Sequence, residues 1–143
     1  MSNLLVQNIK HTNNTTALEI NSSAQMTVKG EGSATTNLQQ GLAKSWITFK
    51  SDSTFILRDS FNVSSAADVS TGHYDVNFTN NMNGTAYTPV SNVHYTGEES
   101  QDQYTRFSAP SYLRTTAYRI AGQYVNGGNE DGYFTVNTNG DLA

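Results

Sequence analysis

The cleanest two-residue alternation in the chain runs over residues 73–79. Tyr74, Val76 and Phe78 fall on one side, and His73, Asp75, Asn77 and Thr79 on the other. Such a run predicts a half-buried strand. Trp46-Ile47-Thr48-Phe49 predicts another strand, ended by the polar break at 50–53. Residues 54–63 read as a longer strand with Phe55, Leu57, Phe61 and Val63 on one side. Asp59 falls on that apolar side, which predicts a bulge or bend near Arg58-Asp59-Ser60. Residues 64–72 read as a connection, in which Ala66-Ala67-Asp68 has room for one helical turn at most.

Beyond it, 80–84 ends in Asn83-Gly84, the strongest two-residue turn signal. Residues 85–95 predict a strand that Pro89 places at a sheet edge. The acidic stretch 97–103 predicts an exposed loop. Residues 111–124 alternate loosely, with Tyr118, Ile120 and Tyr124 on one face. A long turn over 125–132 leads to a closing strand, Tyr133-Phe134-Thr135-Val136-Asn137.

Residues 1–40 differ in character. They predict short strands at 4–9, 17–20 and 24–28 and a linker over 30–36. Leu18 shares a face with Ile20, and Met26 with Val28. These strands carry few large side chains, and two or three such strands are marginal alone in water. The arm is therefore expected to pack on something else. Taken together, the pattern predicts an all-β chain: an antiparallel β-sandwich of about eight strands over 41–143, preceded by a short β-rich N-terminal arm over 1–40. Trp46, Phe49, Phe55, Phe61, Tyr74 and Phe78 are the expected core, and on that reading Phe61→Ala costs about 3–5 kcal/mol.

Composition narrows the function classes. Of 143 residues, 36% are hydrophobic and the mean hydropathy is -0.53, thin for a self-sufficient core. Only 14% are charged, and the polarity comes from Asn, Ser, Thr and Gln. Disorder is disfavoured, because the net charge is only -4 and aromatics reach 10%. The eight basic residues are scattered, which argues against a nucleic-acid partner. No apolar run approaches the roughly 20 residues that span a bilayer, so membrane insertion is not expected. Zero cysteines exclude disulfides and thiolate metal sites. Met1-Ser2-Asn3-Leu4-Leu5-Val6 lacks the basic start and long apolar core of a secretory signal, and synthesis in a cytoplasm is expected.

Candidate chemistry is sparse. His11, His73 and His94 lie in different segments without metal-ligand spacing. His73 and His94 would face each other across a hairpin centred on Asn83-Gly84, with Asp75 on the same face; ordinary outward-facing sheet residues are the simpler reading. Glu98, Glu99 and Asp102 form one carboxylate cluster, and Glu130 and Asp131 another. Both fall in predicted loops and read as solvated surface rather than as an acid–base pair. Asn129-Glu130-Asp131-Gly132 lacks the alternating ligands of a dedicated calcium loop, and no Gly-x-Ser-x-Gly elbow supports a serine nucleophile. No catalytic, cofactor or metal site is expected. Among eight tyrosines, Tyr87, Tyr95, Tyr104 and Tyr112 lie around one edge and its loop. A tyrosine combines a flat apolar face with a polar edge. These four could line a glycan site or an intersubunit contact, though strand packing is the simpler account of most.

Gly41-Leu42-Ala43-Lys44-Ser45-Trp46-Ile47-Thr48-Phe49 resembles a "GLAKAWVNF"-like strand of tail-fibre-like and other virion proteins of marine tailed bacteriophages. In those proteins it leads to "IRDSFNVSS", a "TG-Y" turn and a strand ending "VNFT". Here the matching stretches are Leu57 to Ser65 and Thr71 to Thr79. Asn81-Met82-Asn83-Gly84-Thr85-Ala86-Tyr87 is similar to their "MP-x-x-Y" hairpin without its proline. Leu4 to Thr27 is similar to their leader, and Thr115-Thr116-Ala117-Tyr118-Arg119-Ile120 to their "TTxxFRI" strand. The resemblance implies a non-enzymatic virion structural protein, a surface appendage such as a tail fibre or knob, or a capsid-decorating protein. It implies other virion proteins of capsid or tail as partners, and a homo-oligomer with a trimer favoured. The arm is the expected assembly element. The alternative is a lectin-like module that binds host-surface glycan.

Overall fold

The computed structural model describes residues 7–10, 16–20, 22, 24–29, 35–52, 54–94, 106–124 and 127–142; at 29, 35–37, 39–40, 94, 106–109 and 124 it describes the backbone alone. The protein is all-β, with three antiparallel sheets and one helical turn, α1 (Leu38–Gly41). It divides into two compact units, Met1–Leu42 and Ala43–Ala143.

In the first unit, β1 (Asn8–Lys10), β2 (Thr16–Ile20), β3 (Met26–Lys29) and β4 (Thr35–Asn37) form a meander. The register sets Ile9 beside Leu18, Leu18 beside Val28, and Ile20 beside Met26. One face of this single layer thus carries all five of these apolar side chains, and the other carries Asn8, Glu19 and Thr27. None of the five is fully buried, and Ile9 is 56% exposed. The expected linker is partly strand, since Thr35–Asn37 pairs with β3; residues 30–34, like 4–6 of the expected 4–9 strand, lie outside the described residues.

The second unit is a sandwich of eight strands: β5 (Ser45–Lys50), β6 (Ile56–Phe61), β7 (Val63–Ser70), β8 (His73–Phe78), β9 (Thr88–His94), β10 (Arg106–Ser111), β11 (Ala117–Tyr124) and β12 (Tyr133–Asn139). One sheet has the order β6-β5-β12-β9, the other β10-β11-β8-β7. The edge strands β9 and β10 adjoin, and β12 returns beside β9, so β9 to β12 trace a Greek key. Pro89 does sit on an edge strand, as a residue without a backbone N–H must.

The core lies between the sheets. Ile47, Phe49, Phe134 and Val136 face Tyr74, Val76, Tyr118 and Ile120, all at most 1% exposed. Aromatic rings gather at two ends. Phe49, Tyr74 and Phe134 sit with centroids 4.9 Å apart in all three pairs. Phe78, Tyr87 and Tyr118 form the second group at 5.4–6.4 Å. Each such pair adds about 0.5–1.5 kcal/mol beyond its area burial.

Several expectations are corrected. The single strand over 54–63 is two strands in different sheets. They meet at Asn62, whose φ of 54° turns the chain from one sheet to the other. Asparagine tolerates that left-handed conformation better than most residues. Its amide donates to Lys44 O (2.9 Å) and Asn80 O (3.1 Å), and its Oδ1 accepts from Asn80 N–H (2.7 Å), fixing the corner. The expected bulge is present: Thr48 pairs with Asp59 and Phe49 with Leu57, leaving Arg58 as the extra residue. Of residues 64–72 only Thr71 and Gly72 form a connection; 64–70, including Ala66-Ala67-Asp68, which is not helical, belong to β7, paired along β8.

Trp46 and Phe61 leave the expected core. Ser45, Ile47 and Phe49 point inward, so Trp46 points outward at 37% exposure, with its partner Phe61 beside it at 53%. Asn137 and Val90 continue this row across the outer face. Phe55 is half-buried, and Phe49, Tyr74 and Phe78 are buried as expected.

Hydroxyls inside the core behave in two ways. Tyr74 Oη donates to Asp131 Oδ1 (2.5 Å) and accepts from Ser51 Oγ (2.7 Å). Burial, and then the bond to Asp131, raise its pKa above the usual phenol value. Tyr118 Oη faces Ser45 and Thr138, but none of the three hydroxyls makes a full hydrogen bond. Burial pushes Tyr118 up to about 12 from 10.0. Removing an unsatisfied buried hydroxyl costs little. Tyr118→Phe is therefore expected to stay within about 1 kcal/mol of the wild type at pH 7 by urea unfolding. The unfolded chain ionises first as pH rises, so Tyr118 adds a stability loss between pH 10 and about 12 that the phenylalanine variant lacks. A loss beyond about 2 kcal/mol at pH 7 would mean that the hydroxyl is bonded after all.

Candidate recognition site

The two sheets bury their large side chains inward, so chemistry is confined to outer faces and turns. The most developed surface lies where the β10–β11 hairpin, residues 112–116, overhangs the outer face of β8 and β11. Leu113 packs against the core. Its neighbour Tyr112 is turned outward, 68% exposed, with φ 54°. The hairpin is held from below. Arg114 N–H donates to Ala117 O (2.8 Å), Phe78 N–H to Thr116 O (2.9 Å) and Met82 N–H to Thr115 O (2.8 Å). The buried Tyr87 hydroxyl reaches Arg114 O (2.8 Å) and Ala117 O (2.9 Å).

Beneath Tyr112 the register pairs Asp75 with Arg119 and Asn77 with Ala117, so these four share one outer face. Arg119 forks onto Asp75, Nε to Oδ1 at 2.6 Å and Nη2 to Oδ2 at 2.9 Å. Those bonds from Arg119 hold the Asp75 carboxyl below its usual range and raise Arg119 in turn. The Arg119 and Arg114 guanidinium carbons lie 5.4 Å and 5.7 Å from the centre of the Tyr112 ring. Asn77 Nδ2 donates to Ser65 Oγ (3.0 Å). Asp75, Asn77, Tyr112, Arg114, Ala117 and Arg119 enclose an open concavity of about 310 Å³.

The arrangement is suited to binding. Asp75 is committed to Arg119, and among the described lining residues there is no second carboxylate and no nucleophile beside a base. Among the described residues there is no cluster of metal-ligating side chains.

Of the four tyrosines singled out in the sequence, only Tyr112 is seen on this surface. Tyr87 is 5% exposed and belongs to the core; its part is to brace the hairpin that displays Tyr112. Tyr95 and Tyr104 lie outside the described residues, as do Glu98, Glu99, Asp102 and His11. The hairpin expected to bring His73 and His94 together does not form, because β8 and β9 belong to different sheets. Asp131 is structural: its Oδ1 accepts from Tyr74 and from Gly72 N–H (2.8 Å). Asp75, Arg114 and Arg119 were not anticipated. The outward parity of Asp75 was legible, but its pairing with Arg119 joins strands distant in sequence. No family model, curated protein or solved structure matches the chain.

Proposed function

We propose that the protein is a non-enzymatic structural component of a tailed-phage virion. It would serve as a surface appendage, such as a fibre or knob, or as a capsid-decorating protein, and assemble through its first forty residues. The observation that carries this reading is the single-layer sheet of the first unit. Its apolar face, Ile9, Leu18, Ile20, Met26 and Val28, has no fully buried member. An isolated sheet of this kind gains little from folding until a second surface covers it. A homotrimer, or a neighbouring capsid or tail protein, supplies that cover. The outer row Phe61, Trp46 and Val90 offers the sandwich a further apolar surface.

Solution mass tests the proposal. The full chain is expected to be an oligomer, a trimer by preference, and a fragment starting at Leu42 a folded monomer. The fragment keeps every core residue from Ile47 to Val136. A monomeric full chain that also fails to bind purified virions would overturn the reading.

A further inference from the structure

We infer that the concavity beside Tyr112 is a binding site for an anionic saccharide, a sugar ring that carries a carboxylate. The inference does not depend on the virion reading. It begins from an anomaly in the backbone. A bulky residue at positive φ is uncommon, and such conformations cost about 1–3 kcal/mol. Burial in the core does not offset that cost here, because Tyr112 is 68% exposed. The left-handed turn, braced from inside by Tyr87, displays a flat aromatic face over the sheet while its neighbour Leu113 packs inward.

The groups around the ring define what fits. A pyranose presents an apolar C–H face to an aromatic ring and hydroxyls at its rim. Ala117 keeps the floor open, and the Asn77 amide oxygen, which has no partner among the described residues, can accept from a hydroxyl. A volume of about 310 Å³ sits at the lower end of small-ligand sites and suits one or two sugar rings.

Charge selects the saccharide. Asp75 is bonded to Arg119 through a two-point fork and attracts Arg114 only through space, while the Arg114 guanidinium lies against the Tyr112 ring. Among the described residues the site thus sets two guanidiniums against one carboxylate, on a chain of net charge -4. Guanidinium is the group best matched to a carboxylate. A simple anion would make no use of the displayed ring, and a neutral sugar none of Arg114.

The test titrates the full chain by NMR with a panel of carboxylated oligosaccharides: oligogalacturonate, oligomannuronate, oligoguluronate, a hyaluronan tetrasaccharide and sialyllactose. Neutral galacto-oligosaccharide and tetraglutamate serve as comparators. At least one acidic saccharide is expected to bind at about millimolar Kd, shifting the amides of Asn77, Ala117 and Arg119. Binding should fall about tenfold in Arg114→Gln and at least as much in Tyr112→Asn, with Tm unchanged or higher in both. Asparagine accepts the left-handed backbone, so Tyr112→Asn removes the ring without adding strain. The inference is overturned if no acidic saccharide binds, or if the neutral sugar binds equally. It is also overturned if tetraglutamate competes as well as the sugar does, or if the two variants retain wild-type affinity.

Discussion

Replacing Phe49 with alanine is expected to cost about 3–5 kcal/mol, and the same change at Phe61 under about 1 kcal/mol. Both are phenylalanines on adjacent, hydrogen-bonded strands, so the contrast isolates burial from residue type. Phe49 is fully buried; it stacks on Phe134 and tilts against Tyr74 and Phe55. Truncation leaves a cavity walled by Tyr74 and Phe134, which other strands hold in place, so it collapses little. Phe61 is 53% exposed, its ring beside Trp46 on the outer face. For a domain whose whole stability is about 5–15 kcal/mol, losing the Phe49 contribution takes a large share. Urea unfolding of the fragment from Leu42 checks both, with unchanged m-values showing that the denatured state is the same. Equal losses at the two positions would refute the inward assignment of β5. In the full chain, a Phe61→Ala loss that depends on protein concentration would mean that Phe61 is covered on assembly.

The same two residues show where the sequence is readable. Strands β8, β5 and β12 are legible because each has one face on the core and one in solvent, which prints a period of two into the residues. Parity already set Trp46 opposite Ile47 and Phe49; the size of the indole outweighed it in the expected core. Phe61 failed for a different reason. The bulge at Arg58 shifts the phase of β6, and the left-handed Asn62 then ends it. A side-chain pattern does not carry through two backbone irregularities.

The site was less legible than the fold. Tyr112 stood out only as one of four tyrosines around one predicted edge and its loop. Apart from Arg114, its companions come from β8 and β11, and the key pair, Asp75 and Arg119, is 44 positions apart in the chain. Nothing local encodes that pairing. Tyr87 shows the converse, because the feature that marked it for recognition, a phenol near a turn, serves equally to satisfy two backbone carbonyls from within.

The turn at Gly72 should be the other intolerant position. Gly72 joins β7 to β8 with φ 70° and is buried. A Cβ there would stand 2.6 Å from Gly122 O and 2.7 Å from Glu130 N, both backbone atoms. Neither can swing aside, because each is tied into a three-part clasp. Gly72 N–H donates to Asp131 Oδ1 (2.8 Å), Gly122 N–H to Gly72 O (2.7 Å) and Glu130 N–H to Gly122 O (3.0 Å). Gly72→Ala therefore meets two penalties, about 1–2 kcal/mol for the left-handed backbone and about 1–3 kcal/mol for displacing packed main chain. The total, roughly 2–5 kcal/mol, should come with loss of the Tyr74–Asp131 bond. Gly127 separates the two terms. Its φ is 85°, yet a Cβ there would meet open space, so Gly127→Ala should lose only the backbone share. Unfolding midpoints of the two variants give the difference directly. Equal losses would mean that the clasp yields to a methyl group, and that Asp131 does not hold the end of β8 against the β11–β12 connection as its bonds imply.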